Sequence, residues 1–178
     1  IIRATEKVLV SYLSEDNLWA VREIEEKFSL SLEEIKIPQQ IIDKLLINYL
    51  SHNNYDSALG FRKRFSISDD LISPEVERAA EGVFVHLLSK GWTDKALEIK
   101  ENFLPSLDTA EFVKSQYTSY LNDEKWDLVI NLKSHFPECE PMFQEFFAEQ
   151  KEIAKNSELP FSERQKAFDI LAGLAENG

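Results

Sequence analysis

The sequence predicts an all-α fold, a right-handed α-solenoid of antiparallel helix pairs with four repeat units and a C-terminal helical cap. Three observations carry this. The stretch Leu87–Phe103 (LLSKGWTDKALEIKENF) aligns without gaps on Tyr12–Phe28, Tyr49–Phe65 and Tyr120–Phe136, and self-similarity at a near-constant period marks a repeat architecture. The shared columns are apolar and fall at helical spacing: Leu13/Leu50/Leu88/Leu121, then Val21/Ala58/Ala96/Val129, Ile24/Phe61/Ile99/Leu132 and Phe28/Phe65/Phe103/Phe136. The last three sit at i, i+3 and i+7, which places them on one face of a helix and rules out the alternation of a strand. Finally, the 6 prolines all lie between the helices so defined or in their first turns, where a missing N–H is tolerated.

Taken in order, Ile1–Leu13 puts Ile1, Val8 and Tyr12 beside Ile2, Leu9 and Leu13 on one stripe. The polar tract Ser14–Asn17 breaks it, and Leu18–Phe28 restarts it as a second helix. The second unit opens at Pro38 and runs through Ile41, Ile42, Leu45, Leu46 and Tyr49. Ser73-Pro74 places a capping hydroxyl before a proline at the first helical position, ahead of Val76, Ala79, Ala80, Val83 and Leu87. Asp108-Thr-Ala-Glu111 has capping-box spacing before Phe112, Val113, Tyr117 and Tyr120. In the tail, Met142, Phe143, Phe146 and Phe147 begin a helix running to about Asn156, and Ser162–Gln165 caps a last one carrying Ala167, Phe168, Ile170, Leu171 and Leu174. Steps of 37, 38 and 33 residues separate the leucines of the first column, so the extra residues fall in loops such as Ser66–Ser73. The expected organisation is one domain over 1–178, with repeats near 1–30, 31–68, 73–105 and 108–137 and a cap, or degenerate fifth repeat, over 140–178.

The chain carries 20 Lys and Arg against 32 Asp and Glu, a net charge of −12, with 43% hydrophobic residues. That composition supports a core, and its charge disfavours phosphate backbones and anionic membranes as partners. No apolar run is long enough to span a bilayer. The single cysteine, Cys139, cannot form an internal disulfide and fits an intracellular compartment, cytoplasm or nucleus. The start at Ile1, already inside a helical pattern and unlike a signal peptide, suggests a segment of something longer or processed.

The turn and second helix of these repeats resemble the tetratricopeptide-like superfamily. There an aromatic near the end of the first helix, a small residue in the turn and an alanine in the second helix close the hairpin. Tyr49, Asn53 and Ala58 match that arrangement, as do Leu87, Gly91 and Ala96, and Pro141 stands where the family ends its repeat. The family's Trp–Leu–Gly signature is replaced by Ile42, Leu45 and Leu46 in one unit and by Val113, Gln116 and Tyr117 in another. Ile37-Pro38 through Leu97 is similar, more weakly, to the irregular helix pairs of coat and nuclear-pore scaffold α-solenoids, the ELYS-like domain included. The resemblance implies a helical-repeat fold and a role in binding protein.

Few residues offer chemistry. His135, Cys139 and the carboxylates of Glu138 and Glu140 are the nearest to a metal cluster, but one Cys and one His fall short of the four ligands of a structural zinc site, and a solvated loop explains them. His135 shares a column with Lys27, Arg64 and Asn102, which predicts an exposed polar position. Cys139 has no local nucleophile signature, His52 falls in a turn-surface column, and His86 beside Leu87 reads as a packed or half-exposed side chain. The adjacent acids Glu25-Glu26, Glu33-Glu34 and Asp69-Asp70 cannot face each other on a helix and read as solvated faces. Asp56, Asp94 and Asp127 recur just ahead of each second helix, where an acid complements the helix dipole. Arg62-Lys63-Arg64 is the one basic cluster and aligns with polar columns, so it reads as the solvent face of a helix or a contact for an acidic partner. Trp19, Trp92 and Trp126 stand at the turn before a second helix, as inter-repeat packing or as a line of interface anchors; Phe143, Phe146 and Phe147 are likewise core or docking surface.

The expected function is protein–protein interaction, a non-enzymatic adaptor or scaffold segment without metal or cofactor, binding a protein or peptide and no nucleic acid. The candidate contacts are Trp19, Trp92, Trp126, Arg62, Lys63, Arg64, Phe143 and Phe147. An enzyme accessory domain or a thiol enzyme using Cys139 is the rival reading, and a nucleic-acid-binding helical repeat using Arg62, Lys63 and Arg64 is a third. The phenylalanine column gives the first test of the repeat register: truncating Phe103 or Phe136 to Ala should cost about 3–5 kcal/mol in urea denaturation, as for a large buried aromatic.

Overall fold

The structure, a computed structural model, describes residues 2–15, 17–28 and 37–177, without the side chains of residues 2–6, 14, 18, 25, 28, 138, 176 and 177. The expectations on Ile1, Asp16, the Glu33-Glu34 pair and the side chains of Ile2, Glu25, Phe28 and Glu138 lie outside what the structure describes. Every regular element among the described residues is helical. The first five α-helices are α1 (Ile2–Ser14), α2 (Leu18–Phe28), α3 (Gln39–Ser51), α4 (Tyr55–Arg64) and α5 (Pro74–Ser89). The next five are α6 (Thr93–Phe103), α7 (Ala110–Asn122), α8 (Trp126–His135), α9 (Glu140–Lys155) and α10 (Phe161–Asn177). The chain falls into two compact units, Ile1–Phe84 with Glu98–Pro105, and Val85–Leu97 with Ser106–Gly178.

The hairpin turns recur with one geometry. Asn53, Gly91 and Glu124, equivalent in the alignment, adopt φ of 55°, 74° and 57°, the left-handed conformation that ends a helix. The next residue's N–H reaches back to the carbonyl at the head of each segment: Asn54 to Tyr49 at 2.8 Å, Trp92 to Leu87 at 3.0 Å and Lys125 to Tyr120 at 2.9 Å. Inside that loop Asn53, Gly91 and Glu124 donate to Leu50, Leu88 and Leu121 at 2.9, 2.9 and 3.2 Å, the paired bonds of a Schellman motif. The first repeat shares the outer bond, Asn17 N–H to Tyr12 at 2.9 Å, and the Asn17 Oδ1 caps α2 by accepting the Ala20 N–H at 3.1 Å. The carbonyls of Asn17, Asn54, Trp92 and Lys125 then accept from Val21, Ala58, Ala96 and Val129 at 3.0–3.2 Å, starting each second helix in the same register.

In the first unit α1 packs on α2 and α3, and α3 on α4. Its core takes Leu9, Leu13, Val21, Ile42, Leu45, Leu46, Leu50 and Ala58, with Tyr49 edge-on to Phe61 at 6.2 Å and Phe61 against Phe65 at 4.7 Å. In the second unit α7 packs on α8, and α10 on both α8 and α9, around Leu88, Ala96, Tyr120, Leu121, Val129, Leu132, Phe136 and Phe143. The Tyr120 hydroxyl donates to the Leu88 carbonyl at the end of α5. Every described side chain of the four aligned columns is buried except Ile24, which is half-buried.

Two helix starts differ from expectation. Thr109, not Asp108, stands at the N-cap of α7 without a side-chain cap bond, and Asp108 instead accepts the Ala110 N–H at 3.0 Å. Thr109 itself is buried, 2% exposed, and Phe112 rather than an acid stands three residues on, so no capping box forms. Ser162 lies inside the first turn of α10, whose leading N–H groups, Glu163 and Arg164, bond the Pro160 carbonyl at 3.1 and 3.2 Å. The α9–α10 connection therefore lacks the left-handed turn and is ordered by Asn156, whose Oδ1 accepts the Glu158 N–H at 3.0 Å. By contrast, the Ser73 hydroxyl does accept the Val76 N–H ahead of α5, at 3.4 Å.

The turns separate two residue types by one property. At Gly91 a Cβ would both strain φ and lie 2.7 Å from Leu128 Cδ2, so Gly91→Ala should destabilise by more than about 1 kcal/mol. At Glu124 a side chain already bears that strain, and Glu124→Gly should gain a few tenths of a kcal/mol once the entropy of glycine is subtracted. Urea midpoints of the two variants should move in opposite directions.

Candidate functional site

The second unit holds a groove of about 760 Å³ formed by α7, α8, α9 and α10. Its walls are the Tyr117 ring, Val129, Ile130, Phe143, Phe147 and Leu174, with Lys133, Ser134, Glu140 and Gln144 among the polar groups. The wall positions follow from periodicity: Val129, Ile130 and Lys133 sit one turn apart along α8, and Glu140, Phe143, Gln144 and Phe147 along α9. Phe143 is 2% exposed and stacks against Tyr117 at 4.5 Å, while Phe146 meets the same ring edge-on at 5.5 Å. Phe147 is half-buried, with the Lys151 ammonium 4.3 Å above its ring.

The polar groups are held in defined states. Gln144 Nε2 donates to Glu140 Oε1 at 2.5 Å, and Lys133 Nζ stands 3.4 Å from the same oxygen. That hydrogen bond first, and then the ammonium, hold the Glu140 carboxyl below its usual range and ionised. Burial, with a smaller contribution from the Glu140 charge, pushes the Tyr117 hydroxyl up to about 12, so it stays a neutral phenol. The groove thus offers apolar walls and one buried neutral hydroxyl, with its charges on a self-paired rim.

Of the expected contact residues, Phe143 and Phe147 come together here, one as floor and one as wall; Trp92 and Trp126 do not line the groove. Trp19 on α2 is 74% exposed and Trp92 ahead of α6 is 52% exposed, so inter-repeat packing accounts for neither. Trp126 is half-buried, and a Cβ on Gly173 would fall 2.6 Å from its Cδ2 and Nε1. Tyr117, Val129 and Leu174 read in the sequence as apolar helix or column positions and Ile130 carries no signal there; only the meeting of four helices shows all four to be wall.

In the first unit Arg62 does not lie on a solvent face. Its side chain is 13% exposed, Nε donates to the Ile67 carbonyl at 3.1 Å, and a terminal nitrogen bonds Asp69. The guanidinium also lies 5.4 Å from the centre of the Phe103 ring. A planar cation with three such partners fastens the loop after α4 to α6. Lys63 is exposed and Arg64 half-buried, so the trio does not act as one surface.

The remaining candidates separate clearly. His135 is half-buried rather than exposed: Nε2 lies 2.5 Å from Asp94 Oδ1 and Nδ1 lies 2.8 Å from the Asn131 carbonyl. It clips the end of α8 to the start of α6, a partner that alignment columns cannot register. Asp56, Asp94 and Asp127 all stand in first turns. Cys139 is 3% exposed, His52 is on the surface bonded to the Asn48 carbonyl at 2.8 Å, and His86 is half-buried. No group of three potential metal ligands occurs among the described residues, nor is any described helix long and apolar enough to cross a membrane.

In comparisons with protein-family models, curated proteins and solved structures, nothing matches the chain.

The raised Tyr117 pKa gives an alkaline signature. Above its ordinary value of 10.0 the unfolded phenol ionises while the folded one keeps its proton until about 12, so stability should fall across that window as the unfolded state binds fewer protons. Tyr117→Phe should reduce the stability lost across that window, measured by urea denaturation at a series of pH values.

Proposed function

We propose that the chain is a non-enzymatic protein–protein interaction module, a scaffold or adaptor segment whose groove in the second unit receives an amphipathic helix of a partner protein. The observation that carries this reading is the groove itself: about 760 Å³ of largely apolar wall with a self-paired polar rim. A helix laid along such a groove inserts side chains at i, i+3 or i+4 and i+7, each worth roughly 1.5–3 kcal/mol if fully buried. With a net charge of −12 on the module, the polar face of that helix is expected to be basic.

The wider architecture is inferred to be the right-handed α-solenoid of four hairpins and a terminal pair. Support comes from like helices meeting within each unit: α1 on α3 in the first, α8 on α10 in the second. Stacking of this kind buries the face that a lone hairpin would expose. The tetratricopeptide-like turn and the likeness to coat and nuclear-pore scaffolds point the same way, to an intracellular multi-subunit assembly.

Selection from a displayed library of helical peptides, with counter-selection on a Phe147→Glu variant of unchanged thermal midpoint, tests the groove. Basic amphipathic helices that lose at least tenfold in affinity on that variant are expected. Selected peptides that bind both proteins equally, or no selected peptides at all, would remove the groove as the docking site.

A further inference from the structure

A smaller cavity of about 260 Å³ is lined by α7, α9 and α10 of the second unit and shares no lining residue with the groove. Helical spacing builds its apolar part: Phe146 and Ile153 from α9, Ala167 and Ile170 from α10, and Leu121 from α7. Exposed Thr118, Asn122, Glu163 and Lys166 stand at its rim. Gln150 lies on the same stripe of α9 as Phe146 and Ile153 and lines the cavity with them.

Gln150 is the anomaly. It is only 9% exposed, yet its side-chain amide makes no hydrogen bond to any described residue. Other glutamines on these helices are paired: Gln144 donates to Glu140 and Gln165 to Asp169, each one turn along its own helix. One turn from Gln150 stand Phe146, Phe147, Ile153 and Ala154, so α9 offers its amide no side-chain partner. A buried amide left unpaired costs stability, and its presence in a fold calls for a reason.

We propose that this cavity binds a flat, uncharged ring that carries a carboxamide or lactam edge. The amide of Gln150 presents an N–H donor beside a carbonyl acceptor. A carboxamide or lactam is its complement, because it returns one acceptor and one donor in the same plane. The apolar lining takes the body of the ring. An ionised ligand is disfavoured, since a buried charge without a partner is costly, and Glu163 and Lys166 oppose each other in sign at the rim. Size limits the ligand to a single substituted ring. About 150 Å³ holds benzene, whereas drug-sized ligands occupy roughly 300 Å³ or more. So small a ligand should bind with Kd on the order of 1 mM.

Benzamide is the probe. Titrated into the nitrogen-labelled intact chain, it should shift the side-chain amide resonances of Gln150, identified by their loss in Gln150→Leu, and saturate near that Kd. Benzoate, toluene and acetamide lack in turn the neutral amide, the polar edge and the ring, and each should bind at least tenfold more weakly. Gln150→Leu removes only an unpartnered amide, so its thermal midpoint should not fall while its affinity for benzamide drops at least tenfold. Gln150→Glu should reverse the preference, taking benzamidine over benzamide, because a carboxylate and an amidinium pair through the same two-bond edge. Gln150 resonances that stay still well above the expected Kd, acetamide binding as tightly as benzamide, or Gln150→Leu binding benzamide like the parent would each overturn the proposal.

Discussion

The left-handed residue at three hairpin turns is the constraint on which the rest of the structure depends. With Asn53, Gly91 and Glu124 at positive φ, two backbone bonds close the end of the first helix and the second helix starts one residue later. A connection so short leaves little freedom in how the two helices cross, and adds little loop-closure entropy. It also decides which side chains meet. Leu50, Leu88 and Leu121 enter the core one turn before the corner, and Ala58, Ala96 and Val129 enter one turn after it. Three different residues occupy the left-handed position, so the motif is carried by backbone bonding rather than by glycine. Where that turn is missing, between α9 and α10, the connection is built instead on an asparagine side chain.

Helix existence and burial were legible in the sequence because both depend on spacing alone. The apolar columns, the prolines and the Ser73 cap gave the helices and most of the core. What spacing does not encode is the partner of a side chain. Arg62 aligns with polar neighbours, yet its aliphatic stem and planar head lie among Ile67, Asp69 and Phe103. His135 sits in an exposed-looking column, yet Asp94, far away in sequence, stands beside it. The Asp108 box failed by one residue: Thr109 holds the N-cap position, and Asp108 accepts from Ala110 instead. The groove was half legible: Phe143 and Phe147 stood out as aromatics on one helix, but Tyr117, Ile130 and Leu174 become wall only when four helices converge.

The groove and the outer face of α10 differ in physical kind. The groove is concave, its hydroxyl is kept neutral by burial, and its one close ion pair is internal, so an entering group meets shape and apolar surface before charge. The outer face of α10 is open, with Phe161 and Phe168 exposed on one side of the helix. The second unit therefore presents apolar side chains both in the groove and on the outside of its last helix, without sharing phenylalanines between them.

Gly173 and Trp126 bring a further consequence. The indole occupies the space where any other residue at 173 would carry its Cβ, so the two positions form one steric lock between α8 and α10. Neither can drift alone: a side chain at 173 needs a smaller ring at 126, and a smaller ring at 126 leaves a void over the glycine. Over many generations of substitution these sites should change as a pair or not at all, and two positions distant in the chain would then vary as a single heritable character.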